Sequence, residues 1–258
     1  MAIVKVTDYV EAYRLRAQSA DIHRMAGRDN KNALTEFANS QILAGMNLSP
    51  SDVLVDIGCG DGCLLKMAEG RVSRRIGIVP TQDEQERLEA VLPGATILTG
   101  LAQKLPLESR GASKIVCNAV LYYLPSKDEM KAALREMART ARQDARIWIG
   151  EIPDSDDYAR YRQYQGSSVI GLLWHLLRND GPRAFLGMIR RLGRSAIGRD
   201  QIVLDSAPLL CATPPEFLRL AEVSGLRLER YFRHREIDSE GNEVDSESRY
   251  DYVFTKPL

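Results

Sequence analysis

Along the first 153 positions of the chain, short apolar runs alternate with stretches whose hydrophobic residues have helical spacing. Short runs rich in Val, Ile and Leu, which favour strands, occupy 53–57, 75–79, 95–99, 113–119 and 145–152. Stretches with helical spacing occupy 8–26, 32–46, 64–68, 82–91 and 127–142, so two helices are predicted before the first strand. Strands that alternate with helices in this way predict an α/β fold with a doubly wound, mostly parallel sheet.

The alternation stops after Pro153 and resumes near position 214. Residues 215–224 predict a helix, and two strands follow at 226–235 and 248–256, joined by an acidic linker that suits a hairpin. The chain is therefore expected to consist of three parts. These are N-terminal helices with a core (1–153), a helical insertion (154–213), and a C-terminal helix and hairpin that complete the core sheet (214–258).

Three glycines follow the first predicted strand in the stretch VLVDIGCGDGC at 53–63. Glycine permits a positive φ and a close approach of ligand to main chain, while the first amides of the next helix point outward unpaired. Gly58, Gly60 and Gly62 therefore predict a floor for a flat or anionic group. Their spacing differs from the dinucleotide fingerprint, and the Gly-Lys-Ser/Thr of a phosphate loop does not follow.

Composition narrows the class of protein. The 258 residues are 44% hydrophobic, and 35 basic residues balance 35 acidic ones, so no overall charge favours nucleic acid or an anionic membrane. The four cysteines suit reduced thiols, and Cys59 and Cys63 lack the second pair of ligands that zinc needs. The N-terminus has no apolar signal segment, and no apolar run reaches about eighteen residues, so we expect a soluble, cytoplasmic protein without a metal.

The stretch VLVDIGCGDG closely resembles the first motif of class I S-adenosylmethionine-dependent methyltransferases. The resemblance extends over about 32–153, with LAQKLPL at 101–107 and NAVLYYL at 118–124 where that family has later motifs. It implies a Rossmann-like, seven-stranded sheet with an antiparallel last strand and a helical insertion after the fifth strand. It also implies S-adenosylmethionine as the cofactor and methyl transfer as the reaction.

The resemblance further implies which positions contact the cofactor. Asp56 would hold the methionine end, the glycine loop would lie against the amino acid and ribose, and Leu121 would border the sulfonium together with Tyr122. The implied positions are Asp56, Gly58, Cys59, Gly60, Gly62, Val79, Pro80, Leu101, Ala102, Asn118 and Leu121.

Three acids that are common in that family are replaced in this sequence. Val79 stands where an acid usually accepts the ribose hydroxyls, Leu101 where one receives the adenine amino group, and Lys114 at the start of the fourth strand. Candidates to take over these roles are Gln82, Asp83 and Gln103. Three hypotheses stay open: an active methyltransferase, a methyltransferase-fold protein that has lost catalysis and acts as a binding or scaffold subunit, and an enzyme of this fold with another reaction.

Methyl transfer from a sulfonium is a direct displacement, in which the protein aligns donor and acceptor and removes a proton if the acceptor is a hydroxyl. A base is therefore expected near the ends of the fourth and fifth strands. The candidates are first Glu151, Tyr122 and His175, then Tyr123 and His234. Each also has a purely structural explanation, such as a loop cap, an apolar wall or an interface. The magnesium-dependent catechol type of methyltransferase is disfavoured, because the sequence shows no cluster of metal ligands.

The insertion at 154–213 is the part expected to select the substrate as a lid, since the core supplies only the donor site. It contains Tyr158, Tyr161 and Tyr164, an apolar helix at 168–178, and a segment at 183–194 that mixes apolar residues with arginines. A basic amphipathic helix can lie on a membrane. The alternative is that 169–194 closes over the pocket or packs in a homodimer, with its arginines in solvent.

The acceptor is predicted by class alone. Members of the family with a similar insertion include enzymes that modify sugars of surface polysaccharides or lipid-linked intermediates, so a hydroxyl of a sugar precursor is one expectation. A small metabolite with a hydroxyl or carboxyl is equally consistent with the sequence. Nucleic acid is disfavoured, because no basic patch with interleaved stacking aromatics crosses the core.

Overall fold

The structure is a computed structural model that describes residues 3–6, 8–18, 22–25, 32–158, 169–175, 177–178, 181–196, 202–205, 209–238 and 240–257. The helices are α1 (Tyr9–Ala17), α2 (Ile22–Met25), α3 (Asn32–Met46), α4 (Cys63–Met67), α5 (Gln82–Val91), α6 (Lys127–Thr140), α7 (Ser155–Tyr158), α8 (Val169–His175), α9 (Gly181–Ala196) and α10 (Pro214–Glu222), with a 3-10 turn at Leu121–Tyr123. The strands are β1 (Ile3–Val6), β2 (Val53–Ile57), β3 (Arg74–Val79), β4 (Ala95–Thr99), β5 (Ala112–Asn118), β6 (Ala141–Pro153), β7 (Ile202–Asp205), β8 (Arg227–Ile237) and β9 (Glu243–Thr255).

Seven of the described strands form the main sheet, in the order β4-β3-β2-β5-β6-β9-β8. Neighbouring strands from β4 to β6 are parallel, and β9 runs antiparallel to both β6 and β8. This confirms the predicted Rossmann-like sheet with its antiparallel last strand. The strand order reverses between β2 and β5, and such a switch leaves a crevice at the carboxyl ends of these strands.

Side chains of the central strands alternate between two apolar layers. Leu54, Val116 and Trp148 pack on the face that carries α3, α4 and α5, while Val55 and Ile115 pack on the face that carries α6 and α10. Alternation of this kind follows from the two-residue period of a strand, with both faces of a parallel sheet buried. None of the helices in the described ranges is long and apolar enough to cross a membrane.

Two parts of the predicted architecture were wrong in detail. The helix predicted at 8–26 is present as α1 and α2, with 19–21 outside the described residues. The insertion, predicted to be helical, also contains β7, which pairs in parallel with β1 in register Ile3 to Ile202. Each of these strands has four residues. A strand of this length is stable only when it pairs with another strand. Because the two segments are far apart in the chain, the residues near each of them do not indicate the pairing.

Candidate functional site

A cavity of about 470 Å³ lies at the carboxyl ends of β2, β3, β5 and β6. The loops that follow these strands form one part of its lining, and α1 and α3 cover it with Tyr9, Tyr13 and Phe37. The site therefore lies in the crevice where the strand order reverses. Ligands of open α/β sheets bind at this edge, because the loops and helix N-termini converge there.

The glycine loop has the left-handed backbone that its composition predicts. The φ angles of Gly58, Gly60 and Gly62 are 72°, 57° and 74°. A Cβ on Gly58 would lie 2.4 Å from Val120 Cγ2, and one on Gly62 would lie 2.2 Å from Leu92 Cδ1. Gly58 and Gly60 border the cavity, whereas Gly62 packs against the end of α5. Any larger residue at 58 or 62 would therefore clash inside the protein.

Six of the positions that the family resemblance implies line the cavity: Gly58, Gly60, Pro80, Leu101, Ala102 and Asn118. The other five do not border it: Asp56, Cys59, Gly62, Val79 and Leu121. The side chains of Cys59, Val79 and Leu121 are at most 5% exposed and belong to the apolar core. Burial raises the pKa of the Cys59 thiol well above its ordinary value, so this thiol stays neutral. A cofactor contact by these five positions stays a prediction.

The residues considered as replacements for the missing acids lie outside the cavity lining. Gln82 and Asp83 are exposed, and Gln82 donates a hydrogen bond to Glu86. Gln103 donates to the Tyr9 hydroxyl at 3.5 Å. Lys114 donates to the carbonyl of Met46 at 2.8 Å. The replacement of an acid by Lys114 therefore serves the packing of α3 and does not shape the cavity.

A different acid, Glu84, borders the cavity beside Pro80. Its side chain is 1% exposed, and Oε2 accepts a 2.7 Å hydrogen bond from the Thr81 hydroxyl. Burial raises the pKa of Glu84 from 4.5 to about 7, although the hydrogen bonds with Thr81 act in the opposite direction. Among the described residues, no donor contacts its other oxygen, Oε1.

The sequence pattern around Glu84 predicts a helix cap and gives no indication of a position at the cavity. Thr81 and Glu84 form the pattern Thr-x-x-Glu before a helical stretch, which is typical of a capping box. Thr81 is indeed the N-cap of α5 and accepts from the Glu84 amide. The buried position of the carboxyl beside Pro80 depends on how α5 packs against β3, which the pattern does not reveal.

A polar cluster lines the part of the cavity next to β6, β9 and β8. Glu151 accepts from Asn118 Nδ2 at 3.0 Å through Oε1 and from Arg249 Nη1 at 2.5 Å through Oε2. The Glu151 amide donates to Asp251 Oδ1 at 2.8 Å. Asp251 Oδ2 in turn lies 3.0 Å from His234 Nδ1. Of these residues, Asn118, Glu151 and His234 border the cavity.

The backbone at Glu151 is in an unusual conformation for a residue with a side chain. Its φ is 60°, and the pairing of β6 with β9 shifts register between Ile149 and Ile152. Left-handed residues other than glycine are uncommon and cluster at functional sites. The shift places Glu151 on the cavity wall and turns its amide to Asp251.

Charges in this cluster shift two pKa values in opposite directions. Burial alone would raise the pKa of Glu151, but the charges of His234 and Arg249 and two hydrogen bonds lower it below its ordinary value. Burial alone would lower the pKa of His234, but the hydrogen bond and charge of Asp251, with the charge of Glu151, raise it above 6.5. The cluster therefore favours an ionised Glu151 and a basic His234.

The remaining candidates for a base have different surroundings. Tyr122 and Tyr123 line the cavity with ring centroids 4.5 Å apart. Burial raises the pKa of Tyr122 well above 10, so its phenol stays protonated. His175 is the last residue of α8, but its side chain lies outside the described part of the chain, as do the side chain of Tyr158 and residues Tyr161 and Tyr164. In the residues that the structure describes, no three His, Cys, Asp or Glu side chains cluster as a metal site.

Residues 55–149 match a family model described as "Methyltransferase domain". A search of curated proteins finds no significant match to the chain. An S-adenosylmethionine-dependent methyltransferase from Methanosarcina mazei is a similar solved structure, with 17% identity and a TM-score of 0.55 over 84% of this chain and 97% of that one.

Two other similar structures span almost the whole chain. The N-methyltransferase NodS from Bradyrhizobium japonicum, solved with S-adenosyl-l-homocysteine, has 12% identity and a TM-score of 0.59 over 97% of this chain and 100% of its own. The [4+2]-cyclase SpnF has 11% identity and a TM-score of 0.61 over 100% of this chain and 99% of its own. At these identities the similarity shows a shared fold alone.

Proposed function

We propose that this chain, which has the class I methyltransferase fold and a methyltransferase domain at 55–149, transfers a methyl group from S-adenosylmethionine to a hydroxyl of a small molecule or sugar precursor. The observation that carries the proposal is the cavity of about 470 Å³ directly beside Gly58 and Gly60. Its volume is within the range of small-molecule sites, about 300–1,000 Å³, and it lies at the edge of the sheet where such ligands bind.

Groups that line the cavity suit the parts of this cofactor. Gly58 and Gly60 present main chain without side chains, on which the amino acid and ribose can rest. Glu84 Oε1 is an acceptor for ribose hydroxyls, so Glu84 would replace the acid that is missing at Val79. Asn118 Oδ1 is buried and has no hydrogen-bond partner among the described residues, which suits the amino group of the methionine part. When bound, the cofactor supplies an electrophilic methyl group on a positively charged sulfur.

The protein itself contributes to the reaction by aligning the methyl donor with the acceptor and by excluding water. Tyr9 and Phe37 cover the cavity from α1 and α3, and alignment of donor with acceptor in such a site lowers the barrier without covalent catalysis. Glu151, His234 and Glu236 line the same cavity and offer polar contacts to an acceptor with several hydroxyls. This polar lining supports a sugar-like acceptor.

The alternative is a scaffold or binding subunit that has kept the fold without the reaction. Glu84 favours an enzyme, because a carboxyl with a strongly raised pKa in a cleft destabilises the fold and is typical of functional sites. The similarity to a [4+2]-cyclase supplies a third candidate, namely an enzyme of this fold with a different reaction.

Ligand binding and methyl transfer separate these alternatives. S-adenosylhomocysteine at millimolar concentration should raise the Tm, because it binds only the native state, and titration calorimetry should give its Kd. Tritiated methyl groups from S-adenosylmethionine should then appear in hydroxyl acceptors from a panel of sugars and phenols. Binding without transfer to any acceptor would favour another reaction, and the absence of binding would favour the scaffold.

A second proposal concerns where the protein works, and it rests on two helices of the insertion. α8 exposes Ile170 (78%) and Trp174 (64%), and α9 exposes Leu186 (54%) and Ile189 (41%). Arg183 and Arg190 are exposed on α9 as well. Large apolar side chains beside arginines suit the boundary between anionic headgroups and lipid tails. We propose peripheral contact with an anionic membrane surface through 169–194.

A further inference from the structure

His234 and Asp251 form a buried pair on the neighbouring strands β8 and β9. The side chains are 8% and 6% exposed, and Nδ1 lies 3.1 Å from Oδ1 and 3.0 Å from Oδ2 of the carboxylate. A carboxylate only accepts, so Nδ1 of the neutral ring must carry the proton. The lone pair of the neutral ring is then on Nε2, and His234 borders the cavity. No described residue hydrogen-bonds Nε2.

We propose that His234 is the general base that removes the proton from the hydroxyl of the acceptor, and that Asp251 is its positioning residue. The inference rests on the proposed function, and it specifies the acceptor as a hydroxyl that needs deprotonation. The base, His234, borders the cavity, and Asp251 holds its ring in one orientation. This is the geometry expected for proton removal.

The neighbouring groups leave His234 as the candidate best placed for this role. Each oxygen of Glu151 already accepts a hydrogen bond, from Asn118 or from Arg249. Burial would raise the pKa of Glu151, but nearby charges and these bonds lower it below its ordinary value, so its carboxylate is a weak base. Tyr122 is half-buried, and its phenol stays protonated because desolvation raises its pKa well above 10. Besides burial, the charged groups that shift the pKa of His234 are Asp251 and Arg249 on β9 and Glu151 on β6. Arg235 and Glu236, which follow it on β8, border the same cavity. α3, which also packs near the ring, presents Ala38 and Gln41, which carry no charge.

The step balances without a further reactant. The proton of the acceptor hydroxyl moves to His234 Nε2 as the oxygen attacks the methyl carbon. The new O–C bond forms while the C–S bond breaks, and its electron pair returns to sulfur, which becomes the neutral thioether of S-adenosylhomocysteine. His234 is left as an imidazolium beside Asp251 and releases its proton to solvent. Asp251 stabilises that charge and holds the ring in place.

The first test needs no acceptor. The sequence has three histidines, so the ring resonance of His234 can be assigned in NMR spectra by comparison with a His234→Gln variant. Its titration is then measured with saturating S-adenosylmethionine and with saturating S-adenosylhomocysteine. Only the first carries a positive charge on sulfur, and a cation close to the ring disfavours the imidazolium. The pKa of His234 should be lower by about half a pH unit or more with the sulfonium bound.

Two outcomes of this test are decisive. Equal titration in the two complexes would place His234 away from the reacting sulfur and overturn the proposal, even though both ligands bind. If neither ligand binds in calorimetry, the proposed function itself fails, which is a different result from equal titration.

The second test uses an acceptor found with the tritium assay. His234→Gln should lower kcat at least about a hundredfold, while the Kd of S-adenosylhomocysteine stays within about twofold. Asp251→Asn removes the charge that raises the pKa of His234. The acid limb of its rate profile should therefore move to lower pH, an effect that a purely structural role would not produce. A His234→Gln variant that keeps its kcat, or an unmoved limb in Asp251→Asn, would overturn the assignment.

Discussion

The hydroxyl of Thr81 donates a 2.7 Å hydrogen bond to Glu84 Oε2, and the carboxyl held in this way is 1% exposed on the wall of the cavity. Burial raises its pKa from 4.5 to about 7. The folded protein therefore binds this proton more tightly than the unfolded chain does, so the free energy of unfolding falls as pH rises from about 4.5 to 7.

Glu84→Gln should remove this dependence. Above pH 7 the variant should be more stable than the wild type by up to about 3 kcal/mol, since the shift from 4.5 to about 7 is worth about 1.4 kcal/mol per pH unit. Below about pH 4.5 the difference should vanish. Urea unfolding at pH 4.5 and pH 8 measures it. The control is Glu86→Gln, an exposed residue of the same helix, which should change neither value.

The same substitution should weaken the binding of S-adenosylhomocysteine. An ionised carboxylate accepts stronger hydrogen bonds from ribose hydroxyls than an amide does, so we expect about tenfold lower affinity in Glu84→Gln. In the wild type, affinity should increase as pH rises through about 7, where the carboxyl loses its proton. Titration calorimetry from pH 6 to pH 8 measures both effects. Equal affinities of variant and wild type throughout would exclude Glu84 from the cofactor site.

A matched pair of glycine substitutions locates the cofactor site. Gly60 (φ 57°) lines the cavity, whereas Gly70 has a similar φ of 71° and only open space where a Cβ would lie. Alanine at either position should cost about 1 kcal/mol of stability because of its left-handed backbone. Only Gly60→Ala should lower the affinity for S-adenosylhomocysteine, by at least about tenfold. Equal affinities of the two variants would place the cofactor elsewhere.

Packing of α3 on the sheet gives a prediction about the stability of the protein. A Cβ on Gly45 in α3 would lie 2.4 Å from Trp148 Cζ3, whereas a Cβ on Gly187 in α9 meets open space. Gly45→Ala should destabilise the protein by about 1–3 kcal/mol through overpacking. Gly187→Ala should be neutral or stabilising by up to about 1 kcal/mol, because alanine favours a helix. Thermal unfolding distinguishes them, and a stable Gly45→Ala would show that α3 can shift away from Trp148.

The membrane proposal predicts binding that depends on lipid charge. The protein should sediment with vesicles that contain phosphatidylserine and much less with vesicles of phosphatidylcholine alone. Trp174→Ser and Arg190→Gln should each reduce sedimentation, because one removes apolar area and the other a positive charge that the structure exposes. Val91→Ser, an exposed apolar residue of α5, is the control. If the variants instead change the oligomeric state, the same surface is a contact between copies of this chain.

Much of the fold was predictable because its signals are local. The run of strand-favouring residues in Val53–Ile57 and the helical spacing in Gln82–Val91 involve residues within a few positions of each other, and both elements are found with the predicted bounds. The positive φ of Gly58 is local too, since only the main chain of a few residues decides it. From these patterns follow the alternation of layers and the edge of the sheet at which the cavity lies.

The sequence by itself therefore determined the strands of the main sheet, most of the helices and the glycine loop, because residue patterns and backbone freedom are properties of neighbouring residues. Tertiary structure decided which polar groups meet at the cavity. Glu84 lies there because α5 packs beside β3, and His234 meets Asp251 because β8 and β9 pair in one particular register. Strand register and helix packing depend on contacts between distant parts of the chain, and a shift of one residue would turn these side chains to the other face of the sheet.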